Sequence, residues 1–163
     1  MRAEIVPIAP ADKPALWAEL QDYIAEMTAH VDIAPVNGAY EYPGLDAYWT
    51  DAGRCAFWAV AEGERAGFAL LRRDGAMDGE GTMIMAEFYV RPRFRRTGLG
   101  LDFARRLLAR FPATWILSEF VTNTGAIAFW RRAIEGHAYS ERNYVGGQGK
   151  ERIEQRVVIT SPA

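Results

Sequence analysis

The stretch "RPRFRRTGLG", Arg91 to Gly100, sets four arginines and a threonine immediately against a Gly-x-Gly. Glycines at 98 and 100 let a ligand approach the backbone closely, and free N–H groups at the start of a helix form an anion site. Arg95 and Arg96, with the Thr97 hydroxyl, add charge-assisted hydrogen bonds around the same point. A ligand with more than one phosphate can use all of these groups, so a pyrophosphate is the expected occupant. Two other phosphate motifs fail on the letters. A dinucleotide fingerprint needs a third glycine where Phe103 stands. A Walker loop ending at Gly149 and Lys150 needs glycine at Tyr144 and Ser or Thr at Glu151. Arginine clusters also grip nucleic acid, but the net charge is −2 and no nucleic-acid module is recognisable, so that partner is not expected.

Other residue types weigh little as chemistry. His30 and His137 lie far apart with no Cys or carboxylate at metal-ligand spacing, so no metal is expected. Ser118 lacks a Gly-x-Ser-x-Gly elbow, which argues against a hydrolase triad. The lone Cys55, inside "CAFWAV", excludes a disulfide framework, reads as a small hydrophobe and fits a reducing cytoplasm. Met83 and Met85 read as core. Charge is uneven: residues 1 to 50 hold eight acids against Arg2 and Lys13, whereas residues 91 to 110 hold seven arginines against Asp102 alone. Such a chain suits two ligands of opposite charge.

The elements that must position the Arg-rich loop follow from periodicity. "AEIVPI" reads as a strand, and "KPALWAELQDYIAEM" as an amphipathic helix with Leu16, Leu20, Tyr23, Ile24 and Met27 on one side. Residues 28 to 43 have turn residues and no period, which predicts a long loop before a helical turn at "LDAYWT". "CAFWAVAEGERAGFALLRR" is a hairpin, and Thr82 to Val90 a strand ended by Pro92. Leu99, Phe103, Leu107 and Phe111 recur every four residues and give the next helix one buried stripe. "WILSEF", "TNTGAIAFWRRAI", "HAYSERNYV" and "EQRVVIT" add a strand, a helix and two strands. With 163 residues, half of them apolar, no internal repeat and no run long enough for a membrane span, the expectation is one α+β domain over residues 1–163.

Arg95-x-x-Gly98-x-Gly100, after a strand ending "EFYV" and before an amphipathic helix, resembles the coenzyme A pyrophosphate motif of the GNAT N-acetyltransferases. Asn123, Ala126, Phe129 and Trp130 stand at the matching distance downstream, and Gly67 in the hairpin and the order of elements agree. The resemblance covers nearly the whole chain and is strongest from Thr82 to Ile134. It implies a twisted mixed sheet of six to seven strands flanked by helices, split between the fourth strand (Thr82 to Val90) and the fifth ("WILSEF"). Acetyl-CoA would lie in that split. Its pantetheine arm would pair with the backbone of Phe88, Tyr89 and Val90, with the Val90 N–H as the donor that polarises the thioester carbonyl. The pyrophosphate would rest on Arg95, Arg96, Thr97, Gly98, Leu99 and Gly100, and Asn123, Phe129 and Trp130 would border the arm. Asn123 is equally well explained as a helix N-cap.

The implied reaction is direct attack of a neutral primary amine on the thioester, with Glu87 as the base and Glu119 in reserve. Many members carry a tyrosine where Trp130 stands, whose phenol protonates the departing sulfur. An indole N–H cannot. Ser118, Tyr139, Tyr144 or water takes that part, or no acid is needed. Trp130 is then a packing wall, and the alternative is a catalytically silent acyl-CoA-binding or regulatory domain. The acceptor is expected beside residues 26–46, where Glu26, Asp32, Tyr40, Glu41 and Tyr42 would favour a cationic amine. Expected partners are a small-molecule or peptide amine and a second copy of the chain in a homodimer, with neither nucleic acid nor membrane.

Overall fold

A computed structural model of the chain describes residues 1–162. In chain order it contains β1 (Glu4–Pro7), α1 (Lys13–Met27), α2 (Ala47–Thr50), β2 (Arg54–Ala61), β3 (Glu64–Arg73), β4 (Met83–Val90), α3 (Leu99–Arg110), β5 (Thr114–Phe120), α4 (Thr124–Ala133), β6 (Tyr139–Val145) and β7 (Glu151–Val158). The strands form one mixed sheet of seven in the order β1-β2-β3-β4-β5-β7-β6, antiparallel except where β4 meets β5. β7 begins at Glu151 rather than the expected Glu154, because the 146–149 turn closes early: the Gly146 N–H donates to Lys150 O at 2.9 Å. No helix among the described residues is long and apolar enough to cross a membrane.

Helical spacing decides what each helix buries. Leu16, Leu20 and Ile24 of α1 repeat every four residues and join Tyr48, Phe68 and Leu70 on one face of the sheet. On the opposite face Leu99, Phe103, Ala104, Leu107 and Leu108 of α3 pack with Trp115, Leu117, Trp130 and Ala133. Each face of the sheet therefore carries its own apolar layer.

A slip in register sets the geometry of the centre. Leu71 pairs with Met85 but Leu70 pairs with Glu87, so Ala86 is an extra residue on β4. Met83 and Met85 point to the α3 and α4 face. In a regular strand Glu87 would follow them, two residues on. The bulge reverses the alternation, so that Glu87 and Tyr89 face α1 while Phe88 and Val90 face α3 and α4. It also bends β4 away from its neighbour. β4 and β5 pair only at Met83 with Trp115 and Ile84 with Ile116, and diverge beyond.

Candidate active site

The divergence of β4 and β5 opens a cleft of about 1190 Å³, reaching from the start of α3 to the loop after α1. At its α3 end Gly98 has φ 85°, a left-handed conformation that glycine adopts freely, and it caps the helix. The N–H groups of Gly98, Gly100 and Leu101 find no acceptor among the described residues, while the Leu99 N–H is turned back to Thr97 Oγ1 at 3.3 Å. A Cβ on Gly100 would come within 3.3 Å of Val90 Cγ2 and 3.5 Å of Phe129 Cε2, so glycine keeps this corner open. The loop thus has the free donors and backbone access that a pyrophosphate requires.

Most of the four arginines do not serve that site. Arg91 pairs with the buried Glu19 of α1, with Nε donating at 2.7 Å. Arg93 grips Glu64 at 2.7 Å. Arg95, expected at the pyrophosphate, donates from Nη2 to both oxygens of Glu26 at 2.8 Å and from Nε to Val90 O at 2.8 Å, and its guanidinium lies over the Tyr89 ring. It straps the loop to α1. Only Arg96 keeps a guanidinium with no hydrogen-bond partner among the described residues, and it lines the cleft. Two pairs, Glu19 with Arg91 and Glu26 with Arg95, thus join the acidic early residues to the basic stretch, where the composition suggested two ligands of opposite charge.

Backbone alternation settles what β4 offers. The Arg91 N–H donates to Ala66 O at 2.8 Å on the β3 side, so the N–H and C=O of Val90 turn to the other edge, toward the split, and those of Phe88 with them. The Tyr89 backbone faces β3 instead, so of the three residues expected to present their backbone to the split only Phe88 and Val90 do; Tyr89 still lines the cleft, and its ring packs on Tyr23 and Phe68. Phe88, Phe129 and Trp130 build an aromatic wall with centroids 5.0 to 5.5 Å apart. Trp130 is 6% exposed and borders the cleft, consistent with a packing role. Asn123 is the N-cap of α4: its Oδ1 accepts from the Ala126 N–H at 3.2 Å. Its amide nitrogen is left for the cleft, which the side chain also lines.

Two carboxyl groups stand on opposite faces of the split. Glu87 receives a hydrogen bond from Tyr42 Oη at 3.1 Å. Desolvation raises its pKa, and hydrogen bonding from Tyr23 and Tyr42 and the Arg152 charge pull it back only in part. Burial and the Glu87 charge together raise the pKa of Tyr23 and Tyr42, which stay protonated donors. Glu119 is 3% exposed, and neither of its oxygens has a partner. The neighbouring Gln155 amide engages Glu141 at 3.4 Å. Burial pushes Glu119 up to about 8, so it is protonated at neutral pH. It lies on the α4 face, with Leu117 and Trp130, whereas Ser118 and Tyr144 lie on the α1 face and are bonded to each other at 2.7 Å. Tyr139 is 42% exposed and does not line the cleft. Desolvation lifts the Cys55 thiol to about 12, which makes it a poor nucleophile.

Of the acceptor residues expected from the loop, Glu41 and Tyr42 line the cleft. Glu26 lines it too, but neutralised by Arg95. Asp32 is 99% exposed and pairs with Lys150 at 3.6 Å, and Tyr40 is held by its backbone to both amide atoms of Gln21, at 2.7 and 2.9 Å. Neither Asp32 nor Tyr40 lines the cleft. The expected acidic patch loses most of its free charge. Sequence reasoning missed Tyr23, counted there only as part of an apolar stripe, and Arg152, on a strand with no motif.

Residues 17–134 match the family model described as the Acetyltransferase (GNAT) family. Curated protein sequences give no match. Among solved structures the chain is similar to a ribosomal-protein-alanine N-acetyltransferase from Brucella melitensis, at 20% identity and TM-score 0.65, over 96% of this chain and 99% of that one. A spermidine N-acetyltransferase from Vibrio cholerae aligns at 10% identity and TM-score 0.65, over 95% and 94% of the two chains. NAA60 from Arabidopsis thaliana, solved with a bisubstrate analogue, aligns at 15% identity and TM-score 0.59, over 99% of each. These neighbours share the fold. With the family match spanning most of its length, the chain belongs to the GNAT acetyltransferases, a family of transferases.

Proposed function

We propose that this protein, acting as one cytoplasmic domain, is an acetyl-CoA-dependent N-acetyltransferase that acetylates a primary amine by direct attack on the thioester. The observation that carries the reading is a single cleft with free helix N-terminal donors at one end and a desolvated carboxyl, Glu87, on the opposite sheet face. When bound, acetyl-CoA supplies an acyl carbon already activated by sulfur. The N–H groups of Gly98, Gly100 and Leu101, with Arg96, hold the pyrophosphate. The Val90 N–H, turned to the split, donates to the acyl oxygen. Glu87, a stronger base than an exposed carboxylate, takes the proton from the attacking amine.

On the α4 side, Trp130 would have no proton to give to a departing sulfur. Glu119 is the protonated group on that face and gives its proton to the thiolate. Its charged form is unfavourable in the buried site, and exchange with solvent through the cleft restores the acid. This assigns Glu119 as an acid rather than the reserve base.

A catalytically silent acyl-CoA sensor is the second reading, favoured by Trp130. Incubation with acetyl-CoA and a panel of amines, followed by titration of free thiol, separates the two. The enzyme releases thiol only when an amine is present, and Glu87→Gln lowers the rate about 10²- to 10⁴-fold while coenzyme A affinity is retained. Binding without thiol release for every amine identifies the sensor.

A further inference from the structure

Four arginines line the cleft: Arg95, Arg96, Arg132 and Arg152. Arg95 is neutralised by Glu26, Arg96 belongs to the α3 loop and Arg132 stands on α4. Arg152 is different. Register places it on the α1 face of the sheet with Ser118 and Phe120, the face that Glu87 also takes. Its Nε donates to Ser118 Oγ at 2.9 Å and its Nη2 to Ser118 O at 3.0 Å, and the guanidinium lies 4.1 Å from the Phe120 ring centroid. Ser118 Oγ is in turn fixed by Tyr144 Oη at 2.7 Å. All of these anchors are neutral. No described carboxylate lies within 4.0 Å, and Glu154, two residues on and on the same face, is taken by Arg142 at 3.0 Å. The guanidinium is therefore oriented, with its Nη1 donors free, and it faces a cleft lined by four carboxyl groups, of which Glu87 and Glu119 are raised toward their neutral forms, Glu26 is paired with Arg95 and Glu41 has no described cation within 4.0 Å. A fixed cation of this kind suits a carboxylate on the ligand.

Two exposed cross-links start from the loop after α1: His30 Nδ1 with Thr122 Oγ1 at 2.8 Å and Asp32 with Lys150 at 3.6 Å. They join that loop to the β5 and β7 side.

We propose that the acceptor is a small amine that carries a carboxylate, bound by Arg152 while Glu87 receives the proton of the amine. The inference rests on the transferase reading above and replaces the cationic acceptor that the composition of residues 26–46 suggested. It assigns Arg152 as a specificity-determining residue.

The test is a set of α-, β- and γ-amino acids, each paired with its own carboxamide, and a diamine of matched length. The carboxylate member of at least one pair should show kcat/KM about 10- to 100-fold above its carboxamide. Arg152→Gln should bring that ratio close to one by raising KM for the carboxylate far more than for the carboxamide, whatever common change in rate follows from losing a charge near Glu87, and Arg152→Lys, which keeps the charge, should retain part of the ratio. A variant that slows both members equally marks Arg152 as merely structural and overturns the proposal. So does wild-type protein that uses carboxylates and carboxamides equally, or that prefers the diamine. If no amine releases thiol, the transferase reading fails by itself. Calorimetry of the same pairs on protein saturated with coenzyme A then decides the question: tighter carboxylate binding that Arg152→Gln abolishes upholds the proposal, and equal binding within each pair overturns it.

Discussion

Arg96 holds φ 59°, a left-handed conformation that a residue with a Cβ adopts at roughly 1–2 kcal/mol. That strain sits in the loop proposed to hold the pyrophosphate, on the one arginine there without a partner, which fits a residue retained for a ligand rather than for the fold. Arg96→Gly should therefore raise the melting temperature by about 2 to 4 °C, the shift that about 1 kcal/mol gives a domain of this size. It should also weaken coenzyme A binding by about tenfold, read by calorimetry. A loss on both counts would show that the side chain supports the loop instead. Glu119 allows a second test at this scale. The folded chain holds its proton up to about 8, whereas an unfolded glutamate releases it near pH 4.3. Between those values the unfolded state binds fewer protons, so this group makes stability fall as pH rises. Glu119→Gln removes that slope. Denaturant midpoints measured from pH 5 to pH 9 should show the variant gaining on wild type as pH increases, and parallel curves would place a charged carboxylate in the native protein.

At the scale of elements, the bulge at Ala86 decides which face Glu87 takes, and it depends on close contact with β3. Gly67 lies opposite Val90, and a Cβ there would fall 2.1 Å from Tyr89 O and 3.0 Å from Val90 Cα. Both are backbone, so neither can swing aside. Gly67→Ala should cost about 1–3 kcal/mol as overpacking and displace Val90, whose N–H faces the split. Denaturation together with coenzyme A titration should show both losses, and a variant of native stability and affinity would mean that β4 is free to shift. This geometry also explains what the letters could and could not tell. Strand and helix positions were legible because apolar period and helix caps are local. Asn123 was legible for the same reason, since it caps the helix it precedes. The bulge was not, because an extra residue on β4 is defined only against the residues that pair with it; alternation alone would send Glu87 into the layer of Met83 and Met85. The partners of the arginines were hidden by distance along the chain: Arg91 meets Glu19 across 72 positions and Arg95 meets Glu26 across 69. Arg152 carried no signal at all, since its meaning comes from Ser118 and Phe120 on another strand.

The whole molecule is a sheet in two parts, β1 to β4 and β5 to β7, that share only two paired positions. Below the split they are fastened by the apolar layer under α3 and α4, where Trp115, Phe103 and Leu107 are fully buried. Above it, the inner edges of β4 and β5 have no strand to bond with. Ion pairs from α1 to the loop after β4 brace only one side, and the exposed one, Arg95 with Glu26, adds little, roughly 0 to 1 kcal/mol. The upper cleft is thus the part of the fold with most to gain from a ligand that bonds along β4 and anchors at α3. Binding to the native state alone at a hundredfold excess over Kd contributes about 2.7 kcal/mol. In a chain of this length that should raise the melting temperature by about 5 to 10 °C. Inorganic pyrophosphate, which reaches only the Gly98 to Leu101 donors, should give a much smaller shift at the same concentration. Equal shifts for the two would confine binding to the α3 loop, and no shift with coenzyme A would remove the split from the account of what this sheet is built to hold.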